Sequence, residues 1–117
     1  GGRRVKIKSG LKKNADFQHV YKRGRSIANP LFVIVYFKNR FGYTRVGFSV
    51  SKKFGNAVER NRIKRQLREI YRQNTFMIKD GFDIIFVVRK NAKQASFSDM
   101  QKAVIKLLSG AKILKSE

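Results

Sequence analysis

The stretch RVGFSVSKKFGNAVERNRIKRQLREIYR, residues 45–72, changes its hydrophobic period part of the way along. In its first part, apolar residues alternate with small or polar ones, which is typical of a strand with one buried face. Further on, apolar residues recur three and four positions apart, as on a helix. We therefore predict a strand over residues 43–51, a short loop, and a helix that runs from about Asn56 to Asn74.

The predicted helix has an apolar side and a cationic side. At about 100° per residue, the residues that we expect to pack on a sheet fall together: Ile63, Leu67, Ile70 and Tyr71. A neighbouring sector collects one asparagine and most of the cations: Asn61, Lys64, Arg65, Arg68 and Arg72. Lys52 and Lys53 add charge before the helix N-terminus, where the helix dipole favours anions. A solvated surface is the ordinary interpretation of a basic helix, but this clustering of like charges favours an anion-binding face.

Asn61 stands between Arg60 and Arg62 at the start of the cationic run. Its amide can both donate and accept hydrogen bonds, so it suits a base edge or a 2′-hydroxyl of RNA. It suits the neighbouring backbone equally well, in which case it would fix the first turn of the helix. The sequence leaves both roles open.

The chain as a whole is strongly basic. Its 117 residues contain 28 Lys and Arg against 7 Asp and Glu, a formal charge of +21. Such an excess favours a polyanionic partner, nucleic acid before a membrane surface. A hydrophobic content of 42% allows a packed core, and the length indicates one domain. The absence of cysteine excludes disulfides and thiolate metal sites and suits the cytoplasm, where we expect the protein.

Outside the central stretch, the pattern predicts further helices and strands. Residues 1–10 indicate a basic flexible arm, and residues 11–117 indicate one folded domain. Asn14 can cap a first helix that stops at Gly24. The apolar run over residues 30–38 has two apolar faces, so we expect cover on both sides of that strand.

The rest of the chain completes an α+β order. A turn followed by a buried strand is predicted at DGFDIIFVV, residues 80–88, and a short extra strand near residues 25–28. Ser96 or Ser98 can cap a last helix. The predicted order is αβββαβα, with one sheet and helices packed on it.

A second candidate surface lies on the polar side of the predicted strand. Gly47, Ser49 and Ser51 are small and could leave a shallow floor that another chain approaches closely. Phe17 and Tyr21 on the first helix could form a wall on which unpaired bases stack. The alternative is that both aromatics are core residues, and the pattern alone favours this alternative.

The sequence offers no catalytic constellation. Its acids are scattered: Asp16, Glu59, Glu69, Asp80, Asp83, Asp99 and Glu117. No close pair of the kind used in two-metal hydrolysis can be argued, and His19 is the single histidine. We therefore predict that the protein contributes no catalytic residue and binds no metal or cofactor by itself.

The sequence resembles the protein subunit of bacterial ribonuclease P. The resemblance rests on residues 45–72 and extends to LKKNADFQHVYKRG before them and FDIIFVVRK after them. It implies a ribonucleoprotein that removes the 5′ leader of precursor tRNA, with the RNA subunit as catalyst and Mg²⁺ bound through that RNA. The implied partners are the RNA subunit and precursor tRNA; neither a membrane nor DNA is expected. It also implies a ribosomal protein S5 domain 2-like fold with a left-handed βαβ crossover.

The resemblance also assigns roles to residues of this chain. Binding of the RNA subunit would fall to the basic helix and the loop before it: Lys52, Lys53, Asn56, Arg60, Asn61, Arg62, Lys64, Arg65, Arg68 and Arg72. The single-stranded leader would lie in a cleft between the first helix and the sheet: Phe17, Tyr21, Val35, Gly47, Ser49 and Ser51. The family cleft can include an aromatic where this chain has Val35, with Tyr36 on the opposite face. A ribosomal or RNA-chaperone protein without a catalytic partner is the alternative, since it would need the same cations.

Overall fold

The computed structural model describes residues 10, 11 and 13–116. Its helices and strands follow the predicted order, including the short strand near residues 25–28. The elements are α1 (Asn14–Arg23), β1 (Arg25–Ala28), β2 (Phe32–Lys38), β3 (Arg45–Ser49), α2 (Ala57–Gln73), β4 (Phe82–Val88) and α3 (Phe97–Gly110). The predicted α+β class and αβββαβα order are confirmed.

The four strands form one mixed sheet in the order β1-β2-β4-β3. β2 pairs antiparallel with both β1 and β4, whereas β3 and β4 are parallel neighbours. Parallel neighbours need a crossover connection, and α2 supplies it. The left-handed sense of this crossover stays a prediction from the resemblance.

The sheet lies between two helical layers. α2 and α3 cover one face, where the core includes Phe32, Ile34 and Phe86. α1 covers the other face and buries Val20, Val35 and Ile85. Neighbouring residues of β2 therefore face different layers, and the prediction that this strand is covered on both sides is confirmed. The predicted apolar residues of α3 are buried in the larger core: Met100, Val104, Leu107 and Leu108. Ala111, which follows the helix, is half-buried against it.

The helix starts test the predicted caps. Ser96 caps α3, because its Oγ accepts a hydrogen bond from the Asp99 N–H at 3.0 Å. The prediction for α1 is wrong: the cap position is held by Lys13, without a side-chain hydrogen bond, and Asn14 is the first helical residue. Asp16 in the first turn of α1 provides negative charge near the helix dipole instead.

Gly24 ends α1 as predicted, for a different physical reason. Its φ of −80° is accessible to any residue, so no left-handed backbone is needed there. A Cβ at this position would lie 2.6 Å from the Val20 carbonyl oxygen and 2.8 Å from that of Tyr36. The chain therefore needs glycine because α1 and β2 approach each other closely at this point.

The predicted arm over residues 1–10 falls almost entirely outside the described residues. Gly10 forms a parallel bridge with Val46, and the Leu11 N–H donates to the Val46 carbonyl oxygen at 2.8 Å. The entry to the domain is thus attached to β3. Within residues 10, 11 and 13–116, no helix has the length and apolar character needed to cross a membrane.

Candidate nucleic-acid interface

The two predicted sides of α2 are confirmed. Its apolar residues are at most 4% exposed and join the core beneath the helix: Ile63, Leu67, Ile70 and Tyr71. Most of the predicted cationic sector faces outward: Asn61, Arg65 and Arg68 are exposed and Lys64 is half-buried, whereas Arg72 is turned towards Glu69. Arg62, beside this sector, is exposed as well. We group Arg62 with Asn61, Lys64, Arg65 and Arg68. With Lys52 and Lys53, these five residues form what we call the cationic face.

A capping box fixes the start of α2. The Asn56 side chain accepts from the Glu59 N–H at 2.9 Å, and the Glu59 carboxylate accepts from the Asn56 N–H at 3.0 Å. Asn56, predicted to bind RNA, therefore has a structural task. Because Asn56 fixes the first turn, Asn61 is not required for that role. Asn61 is exposed, which favours its other predicted role, a contact with RNA.

Glu59 also connects the helix start to a neighbouring segment. Its carboxylate lies 3.2 Å from the Lys93 ammonium. The Asn56 N–H and the Lys93 ammonium hold the pKa of the Glu59 carboxyl below its usual value. A Cβ on Gly55 would lie 2.5 Å from Glu59 Oε1, so glycine allows the carboxylate to fold back. This carboxylate therefore stays ionised but is paired with a lysine, and it opposes an approaching anion less than an unpaired carboxylate would.

The turn that carries Lys52 and Lys53 is anchored by Phe54. The turn is a single 3₁₀ segment in which Phe54 is 6% exposed, whereas both lysines are exposed. Burial of the phenylalanine fixes the backbone and points the two ammonium groups outward. The lysines thus extend the cationic face around the N-terminal end of α2, where the helix dipole adds positive potential.

Two predicted RNA-binding arginines make contacts within the protein. Arg60 is half-buried and donates from Nη1 to the Gly55 carbonyl oxygen at 2.7 Å. Arg72 forms a bidentate pair with Glu69, and its side chain is 16% exposed. Both cations are therefore less available to a partner than Arg65 or the other exposed members of the cationic face.

Arg68 lies where the cationic face meets the sheet. Its guanidinium carbon is 5.7 Å from the centroid of the Phe48 ring. Phe48 stacks on Phe86 at 5.8 Å and meets Tyr71 edge-on at 6.4 Å. The aromatic cluster supports the arginine side chain from below, so Arg68 is held close to its outward position.

On the other side of the sheet, the residues that face α1 lie in three rows, which are set by the pairing of β2 and β3 with β4. Each row contains one residue from β2, one from β4 and one from β3. Val33, Val87 and Ser49 form the first row; Val35, Ile85 and Gly47 form the second; Phe37, Asp83 and Arg45 form the third.

α1 covers the second row. Val35 is 8% exposed, and a Cβ on Gly47 would lie 2.6 Å from Cζ of Phe17. The Phe17 ring therefore occupies the space that glycine leaves free. The prediction of an open floor at Gly47 is wrong, and so is the prediction that Val35 lines an accessible cleft, because the helix and its aromatic ring cover both positions.

The first row remains accessible beside α1. Asp16 and His19 contact the third row. The Asp16 carboxylate lies 3.6 Å from the Arg45 guanidinium, and the ring centroids of His19 and Phe37 are 5.1 Å apart. The opposite flank of α1, with Phe17 and Tyr21, therefore faces the first row. Phe17 is half-buried and Tyr21 is 40% exposed, with their ring centroids 6.4 Å apart.

We call the two aromatics and the first row, Phe17, Tyr21, Val33, Val87 and Ser49, the aromatic flank. Ser49 was predicted for this surface, whereas the two valines, which are half-buried, were not. No local signal in the sequence marks them, since their position depends on how β2 aligns with β4. Ser51, which was also predicted for this surface, is exposed and follows β3.

The third row contains a buried ion pair that was not predicted from the sequence either. Asp83 is 1% exposed and accepts two hydrogen bonds from Arg45, at 2.8 and 2.6 Å. The Asp83 carboxylate raises the pKa of the Arg45 guanidinium. Asp16 lies near the same guanidinium, so the fold brings together two acids that are far apart in sequence. Among the described residues, no three His, Cys, Asp or Glu side chains are close enough to hold a metal ion.

Comparisons with known proteins agree with this architecture. A family model described as Ribonuclease P matches residues 5–112. The ribonuclease P protein component of Clostridioides difficile is 49% identical over 100 residues, which cover 85% of this chain and 88% of the relative. That of Alkaliphilus oremlandii is 43% identical over 112 residues, which cover 96% of this chain and 98% of the relative.

Solved structures give the same result. The RNase P protein of Staphylococcus aureus superposes with a TM-score of 0.83 and 42% identity, covering 91% of this chain and 97% of that one. The RNase P protein of Thermotoga maritima gives a TM-score of 0.82 and 36% identity, covering 88% and 97%. Sequence and structure agree over most of the chain, which therefore belongs to the ribonuclease P protein family.

Proposed function

We propose that this protein binds the RNA subunit of ribonuclease P through the cationic face. The observation that carries the proposal is the outward clustering of exposed cations on one side of α2, with Lys52 and Lys53 at its N-terminal end. Glu59 and Glu69, the acids of this helix, are paired with Lys93 and Arg72. The face therefore keeps a strong positive potential, which suits a phosphate backbone.

The chemistry of the side chains supports RNA as the anion. Arginine presents a planar fork that matches phosphate oxygens in pairs, and lysine adds point charges. Asn61 is exposed among them, so its amide can reach a base edge or a 2′-hydroxyl. A membrane surface is a poorer partner, because the apolar side of α2 is already used in the core.

We propose further that the single-stranded 5′ leader of precursor tRNA lies on the aromatic flank. Tyr21 offers an exposed ring, and the half-buried Phe17 offers one held in place over Gly47. Stacking on such rings tolerates any base, which suits leaders of different sequence. Val33 and Val87 supply an apolar floor in place of the aromatic that the family cleft can carry on β2.

In this proposal the protein assists endonucleolytic removal of the leader in the cytoplasm, and the RNA subunit performs the catalysis. Mg²⁺ would act through that RNA, and the protein alone would hold no cofactor. Among the described residues, Asp16 and Asp83 are the acids that the fold brings together, and Arg45 lies against both. Such a pair is poorly suited to hold catalytic metal ions, because the Arg45 guanidinium lies against both carboxylates and offsets one of their two charges.

Reconstitution tests the proposal. The protein, a bacterial ribonuclease P RNA and labelled precursor tRNA are combined at low Mg²⁺, with each component omitted in turn. We expect cleavage at the mature 5′ end with both subunits, and none with protein alone. A protein that binds the RNA subunit yet leaves its low-Mg²⁺ cleavage unchanged would contradict the proposed function and favour a role in another RNA complex.

A further inference from the structure

A groove of about 620 Å³ lies on the other flank of α1, away from Phe17 and Tyr21. It is bounded by Asp16, His19 and Arg23 on the helix, by the third row, and by the loop that joins β2 to β3. The volume is in the range of small-molecule and cofactor sites. The groove thus has room for a nucleotide-sized ligand on a surface to which the resemblance assigns no role.

The loop over residues 39–44 is held in a defined shape by Asp83. Besides Arg45, Asp83 accepts a hydrogen bond from Asn39 Nδ2 at 2.8 Å. Asn39 in turn donates to the Tyr43 carbonyl oxygen at 3.0 Å and accepts from the Phe41 N–H at 3.0 Å. A buried carboxylate therefore orders a loop that would otherwise be free to move, and preorganisation of this kind favours ligand binding.

The same network fixes an exposed aromatic ring. Phe41 is 54% exposed, although exposure of an apolar ring to water is unfavourable. Its ring lies 4.4 Å from the guanidinium carbon of Arg45, which Asp83 holds in place. Tyr43 packs beside it at 5.7 Å between centroids. Phe41 is thus a supported and accessible flat surface, while the half-buried Phe37 forms the inner wall of the groove.

The rim of the groove is cationic. Arg23 and Arg40 are exposed, and within the described part of the chain neither forms an ion pair. Arg45 contributes little net charge, because Asp83 and Asp16 lie against it. A flat aromatic surface beside two available guanidinium groups fits an unpaired nucleotide, with its base on Phe41 and its phosphate on an arginine.

We propose that this groove is a second site for an unpaired nucleotide of the precursor-tRNA leader, an inference that rests on the proposed leader role of the aromatic flank. The groove and the aromatic flank lie on the same face of the sheet, separated only by α1. The cationic face belongs to α2, which packs on the opposite face. A single strand that crosses α1 can reach both sites, whereas an RNA docked on α2 lies across the sheet from the groove.

The test uses the assembled holoenzyme and measures its affinity for precursor tRNA with a long leader, with a truncated leader and with none. We expect Phe41→Ala to weaken binding of the long-leader substrate by about five- to 100-fold, the range for loss of one stacked base. Binding of mature tRNA should not change. Arg40→Ala should show the same leader dependence, and Arg40→Lys should recover part of the loss.

Matched controls separate the possible failures. Phe76→Ala removes another exposed ring, 71% exposed and outside the groove, and should leave all affinities unchanged. Phe17→Leu, measured in parallel, reports on the aromatic flank. If Phe17→Leu weakens binding only of tRNA that carries a leader and Phe41→Ala does not, this inference fails while the proposed function stands. If neither variant causes a loss of affinity that depends on the leader, the proposed leader role itself fails.

The source of the nucleotide is tested in the same series. Titration of the isolated RNA subunit with Phe41→Ala protein should give the unaltered affinity. A loss there, or an equal loss for mature and precursor tRNA, would place a different RNA in the groove and overturn the inference. Thermal melting of each variant checks that the fold is retained.

Discussion

The two faces of the sheet present binding groups in different ways. On the α2 face the cationic side chains point away from the core, and the residues that pack are different ones. On the α1 face Phe17 packs over Gly47 and is proposed to bind as well. Binding and stability are therefore separable on the first face and coupled on the second. Mutations should show this difference directly.

The largest effect is expected on the α2 face. Arg65→Ala combined with Arg68→Ala should weaken binding of the RNA subunit by on the order of 3 kcal/mol, since each charge-assisted contact is worth about 1.5 kcal/mol or more. The slope of log K against log salt should become shallower by about 1.5. Melting should change little, because both side chains are exposed.

A charge-matched control sharpens that prediction. Lys102→Ala with Lys106→Ala removes the same net charge from exposed positions of α3. We expect this pair to have a much smaller effect on RNA-subunit affinity, measured in the same salt series. Equal losses of RNA-subunit affinity for the two double variants would mean that only net charge matters. The assignment of RNA-subunit binding to the cationic face would then be wrong.

The next effect tests the coupling on the α1 face. Phe17→Ala should both lower stability and weaken leader binding, because its ring fills the space above Gly47. Phe17→Leu keeps apolar bulk but removes the flat ring, so it should cost about 1–3 kcal/mol of leader-dependent affinity. Its melting temperature should stay close to that of the parent protein.

Two measurements check this prediction: thermal melting of the protein, and holoenzyme affinity for tRNA with and without a leader. A Phe17→Leu variant with unchanged leader discrimination would assign Phe17 to the core alone. The coupling between binding and stability on this face would then be absent.

A smaller effect concerns the start of α2. Asn56→Ala removes a side-chain cap and should lower the free energy of unfolding by about 1 kcal/mol, as measured by denaturant titration. Lys52→Ala, four residues earlier and exposed, should leave stability unchanged while weakening RNA-subunit binding. If Lys52→Ala proved as destabilising as Asn56→Ala, binding and stability would not be separable on this face.

The smallest effect at neutral pH concerns the inner side of α2. Burial raises the pKa of the Tyr71 phenol above its ordinary value of about 10. The unfolded chain therefore loses this proton first, so stability that is fully present below about pH 10 falls as the pH rises beyond it. Tyr71→Phe should melt like the parent protein near pH 8 and lose less stability by about pH 11.

The melting temperatures of both proteins across that pH range provide the check. Parallel pH profiles would show that Tyr71 is already in contact with water. In that case water would reach the Tyr71 hydroxyl group on the inward side of α2 in spite of its burial.

What the sequence could reveal follows the same division. The cationic face was predictable because helical spacing alone decides which side Lys64, Arg65 and Arg68 occupy. The order of elements was predictable for a similar reason, since hydrophobic periods and turn residues are local. The capping role of Asn56 was accessible too, because Glu59 stands three residues later.

The α1 face depends on contacts between distant segments. The rows that place Val33 beside Val87 and bury Val35 arise from the pairing of β2 with β4, more than forty residues apart. The Arg45–Asp83 pair requires the parallel alignment of β3 with β4. Neither alignment leaves a local trace in the sequence, so Gly47 looked like an open floor although Phe17 covers it.

The parallel pairing of β3 with β4 also sets an order of events during synthesis. Apart from the bridge to Gly10, β3 pairs in the described sheet with β4 alone, and β4 ends at Val88. β1 and β2, by contrast, are close in sequence and can form a hairpin early. A nascent chain that stops before residue 82 therefore carries its basic helix but lacks the strand that holds Gly47 beneath Phe17. During translation, the capacity to attract RNA should precede the capacity to hold a leader.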